Sequence, residues 1–451
     1  MAAACARFTD GSVARHVLVM IGTSAISLFA VFLVDILTLV YVSMLHEPLL
    51  IAAVGIAKVL IFANTALVSG LIIAATSVLS KRIGQRGTHG LGGQAFSLLM
   101  MVVATSCATT ILQLAFAEPL MHLVGADTTL YLAARDFIWL ALPATILQAA
   151  MQMCAQILRA AGHSARALGV VLSGAVTLAI ADPLLIFVLD LKLWGAGIAY
   201  ATSALVSTAL GLYWVRRLIG LTWHLNLKLF REHCAQTLRV GLPAVVGNVA
   251  TPVAIAYLIA SVTSFGIEAL AGMTVADRVT QFAYCVFFAI PGALAPILGQ
   301  NVGAGLPQRS LAAVAFARRL VMGYGLLVWA LLAFSGGAIA DFYQLSGQGR
   351  ALFLAFCRYG GLLWAIMSLD FIAQSVFLTM GRPWLVAVFA WLRVTLGTLP
   401  FVWAGSHWFG AAGALPGMLT GNALIAICST IAASLAARRL FAHGVGPARL
   451  G

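Results

Sequence analysis

The chain is poor in charge, and poorest in negative charge. Only 9% of its 451 residues are charged, with 13 acids against 26 bases and a formal net charge of +13. Soluble domains carry about 25% charge. With 62% hydrophobic residues and a mean hydropathy of +1.03, a soluble fold of this length lacks the polar residues to cover itself. The seven cysteines (Cys5, Cys107, Cys154, Cys234, Cys285, Cys357, Cys428) include no C-x-x-C and mostly lie in apolar stretches. They read as small buried hydrophobes, which argues against disulfides or a metal site. The nine histidines are scattered among loops and segment ends with no H-x-x-H spacing, so the interfacial cluster of an integral membrane enzyme is missing. Short alternating segments of about 10 residues, the mark of a membrane β-barrel, are absent too.

What is present is a series of twelve apolar segments, each about 20–30 residues, long enough for a ~30 Å hydrocarbon core. Their approximate bounds are 17–44, 49–78, 92–116, 130–156, 167–189, 194–219, 239–263, 269–298, 311–336, 352–379, 384–406 and 411–436. The sequence thus predicts an all-α polytopic membrane protein. The N-terminal run continues past Tyr41 without a cleavage-type site, as in an uncleaved first helix. The bases alternate sides. Of the 26, 19 lie in the two ends or in the connections after segments 2, 4, 6, 8 and 10, and only Lys192 and Arg350 lie in the opposite set. Lys and Arg stay cytoplasmic, so both termini are expected inside. Anionic inner-leaflet lipid accounts for the net charge, and no nucleic-acid module is evident. Lys58, Arg135, Arg278, Arg358 and Arg393 fall within or at the edge of the segments.

The one long polar connection, about 220–238, divides the chain into two sets of six. The expected organisation is an N-lobe over 1–222, a cytoplasmic inter-lobe loop over 223–238 and a C-lobe over 239–451. The halves read as a repeat. LSKRIGQRG (79–87) fits LGQNVGAG (298–305), with Gly84 against Gly303 at a shift of 219. AGHS (161–164) fits MGRP (380–383) at the same shift, and DPLLIF (182–187) fits LPFVWA (399–404) at 217. Such parallel repeats suggest two bundles that enclose a central cavity and rock for alternating access.

At these motifs the chain resembles the multidrug and toxic compound extrusion (MATE) transporters. Five stretches carry the resemblance: VDILTLVYVSMLHEPLLIAAVG (34–55), TSVLSKRIGQRG (76–87), ILRAAGHSARA (157–167), ADPLLIFVLDLKLWGAGIA (181–199) and APILGQNVGAG (295–305). It implies twelve helices in two pseudo-symmetric six-helix lobes, and export of cationic amphipathic small molecules driven by protons or sodium. It places coupling carboxylates at Asp35 in the first helix, Asp182 in the fifth and Asp370 in the tenth. Leu178 stands where many members have Asn, Tyr200 where Thr is common, and helix seven offers Asn248, Thr251 and Tyr257 but no Glu. These departures favour a proton over sodium.

An Asp in mid-helix costs about 2.5–3.5 kcal/mol on insertion scales, so each acid needs a cavity, a partner or a proton. Asp35 and Lys58 lie at similar distances on either side of the Glu47-Pro48 turn, and Asp370 and Arg393 repeat this about the Gly381-Arg382 turn. At ~1.5 Å rise per residue, each pair has similar depth in a helix hairpin and is expected within reach. Either pair is a working site or a permanent ion pair that neutralises two buried charges. The candidate coupling-ion and substrate residues are Asp35, Lys58, Asp182 and Asp370. Tyr200, Asn248, Tyr257, Gln281, Tyr284, Gln374 and Arg393 are the candidate cavity lining. Asp277 and Arg278 are expected to pair locally.

The reading is an antiporter that exports amphipathic organic cations in exchange for H+, or Na+, from the bacterial inner membrane. It would work as a monomer with no cofactor. A flippase of a lipid-linked precursor, or an exporter of anions in the same superfamily, is the alternative.

Overall fold

The structure is a computed structural model that describes residues 6–123, 128–222 and 226–442. Among the described residues, twelve helices are long and apolar enough to cross a membrane. The N-terminal set comprises α1 (Val13–Ser43), α2 (Pro48–Arg86), α3 (Leu91–Ala115), the short α4 (Ala117–Leu123), α5 (Thr128–Ala160), α6 (Ser164–Pro183) and α7 (Lys192–Ile219). A π-helical turn, Leu184–Val188, extends α6. Then follow α8 (Leu227–Thr263), α9 (Ile267–Ala283), α10 (Cys285–Gly303), α11 (Pro307–Phe342), α12 (Gly347–Ala355), α13 (Gly361–Thr379), α14 (Trp384–Leu392), α15 (Leu399–Phe409) and α16 (Ala411–Ala442). Two further π-helical stretches, Phe356–Gly360 and Arg393–Thr398, join α12 to α13 and α14 to α15.

Two expectations change. The connection expected over 223–238 is helical from Leu227. Asn226 caps that helix, its Oδ1 accepting from the Lys228 and Leu229 amides at 3.1 and 3.3 Å. The polar stretch between these capped amides and the apolar part of α8 is rich in good helix formers. Segment 269–298 is broken at Tyr284, whose φ of −112° and ψ of 18° end α9. Its ring stacks on Phe287 and Trp364, with centroids 5.2 and 5.8 Å away, and its hydroxyl donates to the Gly361 carbonyl at 3.1 Å.

The chain divides into two compact units. One comprises Met1–Arg7, Ile26–Leu79 and Arg86–Gly241; the other comprises Phe8–Ala25, Ser80–Gln85 and Leu242–Gly451. In the first unit, Phe137, Ile138 and Leu142 of α5 pack with Val54 and Leu60 of α2 and with Ile186 and Leu193. A buried polar network stiffens this unit. Asn64 Nδ2 donates to Thr110 Oγ1 at 2.9 Å and to Gln113 Oε1 at 3.0 Å, and Gln113 Nε2 donates to the Leu60 carbonyl at 2.9 Å. In the second unit α16 lies against α15 and the π-helical stretch before it through small residues. A Cβ on Gly413 would lie 2.2 Å from the Gly405 oxygen, and one on Gly421 would lie 1.9 Å from the Gly397 oxygen. Gly413, Gly417 and Gly421 recur every fourth residue, the spacing that lets membrane helices approach closely.

The repeat glycines meet in the second unit. A Cβ on Gly84 would lie 2.1 Å from the Gln300 oxygen, and one on Gly303 would lie 2.1 Å from the Lys81 oxygen. The neighbouring G-Q-N stretch holds the N-terminal arm. Gln300 Oε1 accepts from the Phe8 amide at 2.9 Å, and Asn301 Nδ2 donates to the Phe8 carbonyl at 3.2 Å. Arg309 donates to the carbonyls of Phe8, Asp10 and Gly11 at 3.3, 3.1 and 3.0 Å.

Candidate functional site

Each unit holds one cluster of intramembrane charge built on the candidate acids. In the first unit α1 supplies Asp35 and Thr38, one turn apart on one face. Lys58 of α2 donates to Asp35 Oδ1 at 3.3 Å and to the Asp35 carbonyl at 3.1 Å. The pair is only partly buried: the Asp35 side chain is 50% exposed and that of Lys58 is 26% exposed. Asp182 of α6 is fully buried. Thr38 Oγ1 donates to Asp182 Oδ2, while Asp182 Oδ1 is buried without a hydrogen-bond partner. Both Asp35 and Lys58 lie within electrostatic range of Asp182, and Tyr200 of α7 lies within range of Asp35. Tyr200 packs beside Val34, Leu178 and Ala199. Leu178 therefore contributes hydrocarbon, not a polar ligand, to this contact.

The backbone shape follows from Pro183. Proline donates no amide hydrogen bond, and the π-helical turn begins directly after it. Single π turns inside α-helices are frequent at functional sites.

In the second unit Asp370 of α13 is only 4% exposed and its carboxylate is fully engaged. Arg393 NH1 donates to Oδ2 at 3.0 Å and Gln374 Nε2 to the same oxygen at 2.9 Å. Ser429 Oγ of α16 donates to Oδ1 at 2.6 Å. The Arg393 side chain is 14% exposed. The two clusters therefore differ in kind. One carries a half-open ion pair and a carboxylate oxygen with no donor; the other is a closed, hydrogen-bonded salt bridge.

The remaining candidates are spread out. Asp277 accepts from Gln281 Nε2 at 2.7 Å; its expected partner Arg278 lies within electrostatic range of it but makes no salt-bridge contact. Tyr284 is fully buried with its hydroxyl satisfied, so it packs the core of the second unit and lines no open space. Asn248 and Tyr257 are half-buried on α8. Sequence reasoning missed Thr38, Ser429 and Arg159. Thr38 was within reach of it, since a hydroxyl one turn from Asp35 shares its face. Ser429 gave no signal, because its partner lies 59 residues away on another helix. Arg159, expected in a connection, ends α5 instead; it is buried and donates to Ser27 Oγ at 3.2 Å. Of the cysteines, Cys154, Cys285 and Cys357 are buried, Cys107 and Cys234 are half-buried and Cys428 is exposed. Cys5, His224 and His443 lie outside the described residues.

The two bases on the sparsely charged side both have acidic mates. Lys192 donates to Glu47 at 2.9 Å, and Arg350 pairs with Asp341.

The MatE family model matches residues 23–184 and 243–403, once in each half. The chain belongs to the MATE family. It is therefore a multi-pass membrane transporter. Among relatives, a protein of Pseudomonas savastanoi named an uncharacterized 21 kDa protein in the iaaL 5' region is 40% identical over 247 residues, covering 54% of this chain and 80% of that protein. An FAD transporter of Shewanella oneidensis is 25% identical over 383 residues, covering 81% of this chain and 83% of that protein. Solved MATE structures share the fold. A mutant of the Vibrio cholerae MATE transporter VcmN superposes with a TM-score of 0.90 at 20% identity, over 95% of this chain and 97% of that one. A MOP superfamily transporter from Pyrococcus furiosus superposes with a TM-score of 0.88 at 20% identity, over 96% of this chain and 98% of that one.

Proposed function

We propose that this MATE transporter exports small amphipathic organic cations in exchange for protons, by alternating access, with the Asp35–Lys58–Asp182 cluster as the exchange site. One observation carries the reading: Asp182 is fully buried and its Oδ1 has no donor. An unpaired carboxylate is costly away from water, so that oxygen is an open position for a proton. Asp35, already neutralised by Lys58, is the exposed half of the site. A cationic substrate that displaces the ammonium from Asp35 moves Lys58 into the field of Asp182, and the proton on Asp182 leaves. Leu178, which brings hydrocarbon rather than a further oxygen ligand to the cluster, supports a proton rather than sodium. The Asp370–Arg393 pair serves here as a structural tie. The protein acts as a monomer in the bacterial inner membrane with both termini cytoplasmic, in line with the alternation of bases along the sequence.

The Lys58 ammonium also supports a second reading. If Asp35 takes the proton, Lys58 is left as a free cation beside a partly open site, which suits an anionic substrate. The Shewanella relative is named for a flavin nucleotide.

Uptake of a fluorescent organic cation into inside-out vesicles tests both readings. Wild type is compared with Asp35→Asn under an imposed proton gradient, with and without sodium. Proton-driven, sodium-independent uptake that is lost in correctly inserted Asp35→Asn supports the cation antiporter. Equal uptake by both removes Asp35 from the exchange. No cation uptake by wild type in either condition favours the anionic substrate.

A further inference from the structure

The ends of α6 and α7 in the first unit carry an aromatic and basic cluster that transport chemistry does not use. Arg166 lies in the first turn of α6, and its guanidinium carbon stands 4.0 Å from the centroid of the Trp214 ring. Arg217, in the last turn of α7, stands 5.8 Å from the same ring and donates to the Tyr213 hydroxyl at 2.7 Å. Two planar cations thus stand against one indole. Neither forms a salt bridge among the described residues.

Two further features leave positive potential here without compensation. A helix N-terminus carries partial positive charge and favours an anion, yet the first turn of α6 holds Arg166 and no acid. The N-cap residue, His163, makes no side-chain cap bond. The pKa of His163 is lowered first by burial and then by the charges of Arg7 and Arg166. Arg7 joins the same turn by donating to the Gly162 carbonyl at 3.1 Å.

We propose that Arg166 and Arg217, held against Trp214, bind the headgroup phosphate of an anionic phospholipid. Arg166, held over the indole at 4.0 Å, keeps its N–H donors for the bidentate bonds that phosphate oxygens accept, and Arg217, with one N–H on Tyr213, has four more to add. The source is lipid because the cluster sits where two membrane helices end. Exposed Tyr213 and Leu218 flank it, the pairing of aromatic and apolar groups found at headgroup level.

The test is native mass spectrometry of purified protein from mixed micelles of phosphatidylglycerol and phosphatidylcholine. Wild type is expected to retain phosphatidylglycerol in preference. Arg166→Gln/Arg217→Gln is expected to lower that preference about 25-fold, since each base near an anionic surface contributes about five-fold. The single variant Arg217→Gln, a change at an exposed side chain, is expected to give about five-fold if the double variant does not fold. The proposal is overturned if wild type shows no anionic preference or if the variants keep it in full. It is equally overturned if inorganic phosphate displaces the lipid at equal phosphate concentration, which would make this a free-anion site.

Discussion

The closed salt bridge of the second unit is the sharpest place to test the division of labour between the clusters. Arg393→Met removes the cation and leaves the Asp370 carboxylate in a site where the residue is 4% exposed. Breaking a buried pair from one side costs about 3–5 kcal/mol. Gln374 and Ser429 still donate at 2.9 and 2.6 Å, and hydrogen bonds to a charged group are worth about 1.5–3 kcal/mol. The loss should therefore fall near the lower end, about 3 kcal/mol. Asp370→Asn alone strands the guanidinium and should cost a similar amount. In Arg393→Met/Asp370→Asn no charge is stranded. The Asn oxygen accepts from Gln374, and the Ser429 hydroxyl turns to accept from the amide. The double variant should lose only about 1–2 kcal/mol, a coupling of roughly 4–5 kcal/mol. Denaturant titration in mixed micelles, followed by tryptophan fluorescence, measures all four corners of the cycle. The same double variant should retain proton-driven transport. Effects that add within about 0.5 kcal/mol would refute the reasoning. So would loss of transport in a stably folded double variant, because Asp370 would then belong to the exchange.

Two other outcomes follow. Gly84→Ala and Gly303→Ala would each drive a methyl to 2.1 Å from a carbonyl oxygen, so each should lower the unfolding midpoint clearly, while Gly22→Ala and Gly337→Ala, with nothing within 4 Å, should not. His163 has a folded-state pKa below its ordinary 6.5; the unfolded chain therefore binds its proton first, and stability should fall as pH drops below about 6.5. That slope should flatten in His163→Gln, as read from unfolding midpoints across pH 5–8.

Most of the fold is legible in the sequence because each membrane span is a local property. Length and hydropathy mark it without reference to any other helix. The errors fall where local polarity misleads. The stretch from Leu227 looks like a loop because it is charged, yet Asn226 caps it as helix. The break at Tyr284 needs the ring stack on Trp364, a contact across helices. The Asp35–Lys58 and Asp370–Arg393 contacts are legible because each joins two helices around a short turn, where distance from the turn sets depth. Ser429 on Asp370 is not, because nothing in the chain fixes the rotation of α16 against α13. The bare oxygen of Asp182 is an absence of donors, and only the packed structure reveals an absence.

The central claim is that a buried proton on Asp182 is exchanged when a cation reaches Asp35. It is tested most directly by proton release from the purified protein in weakly buffered solution on addition of an organic cation such as ethidium. Wild type should release a proton on saturation, and Asp182→Asn should bind the cation with no release. Equal release by wild type and Asp182→Asn would contradict the account.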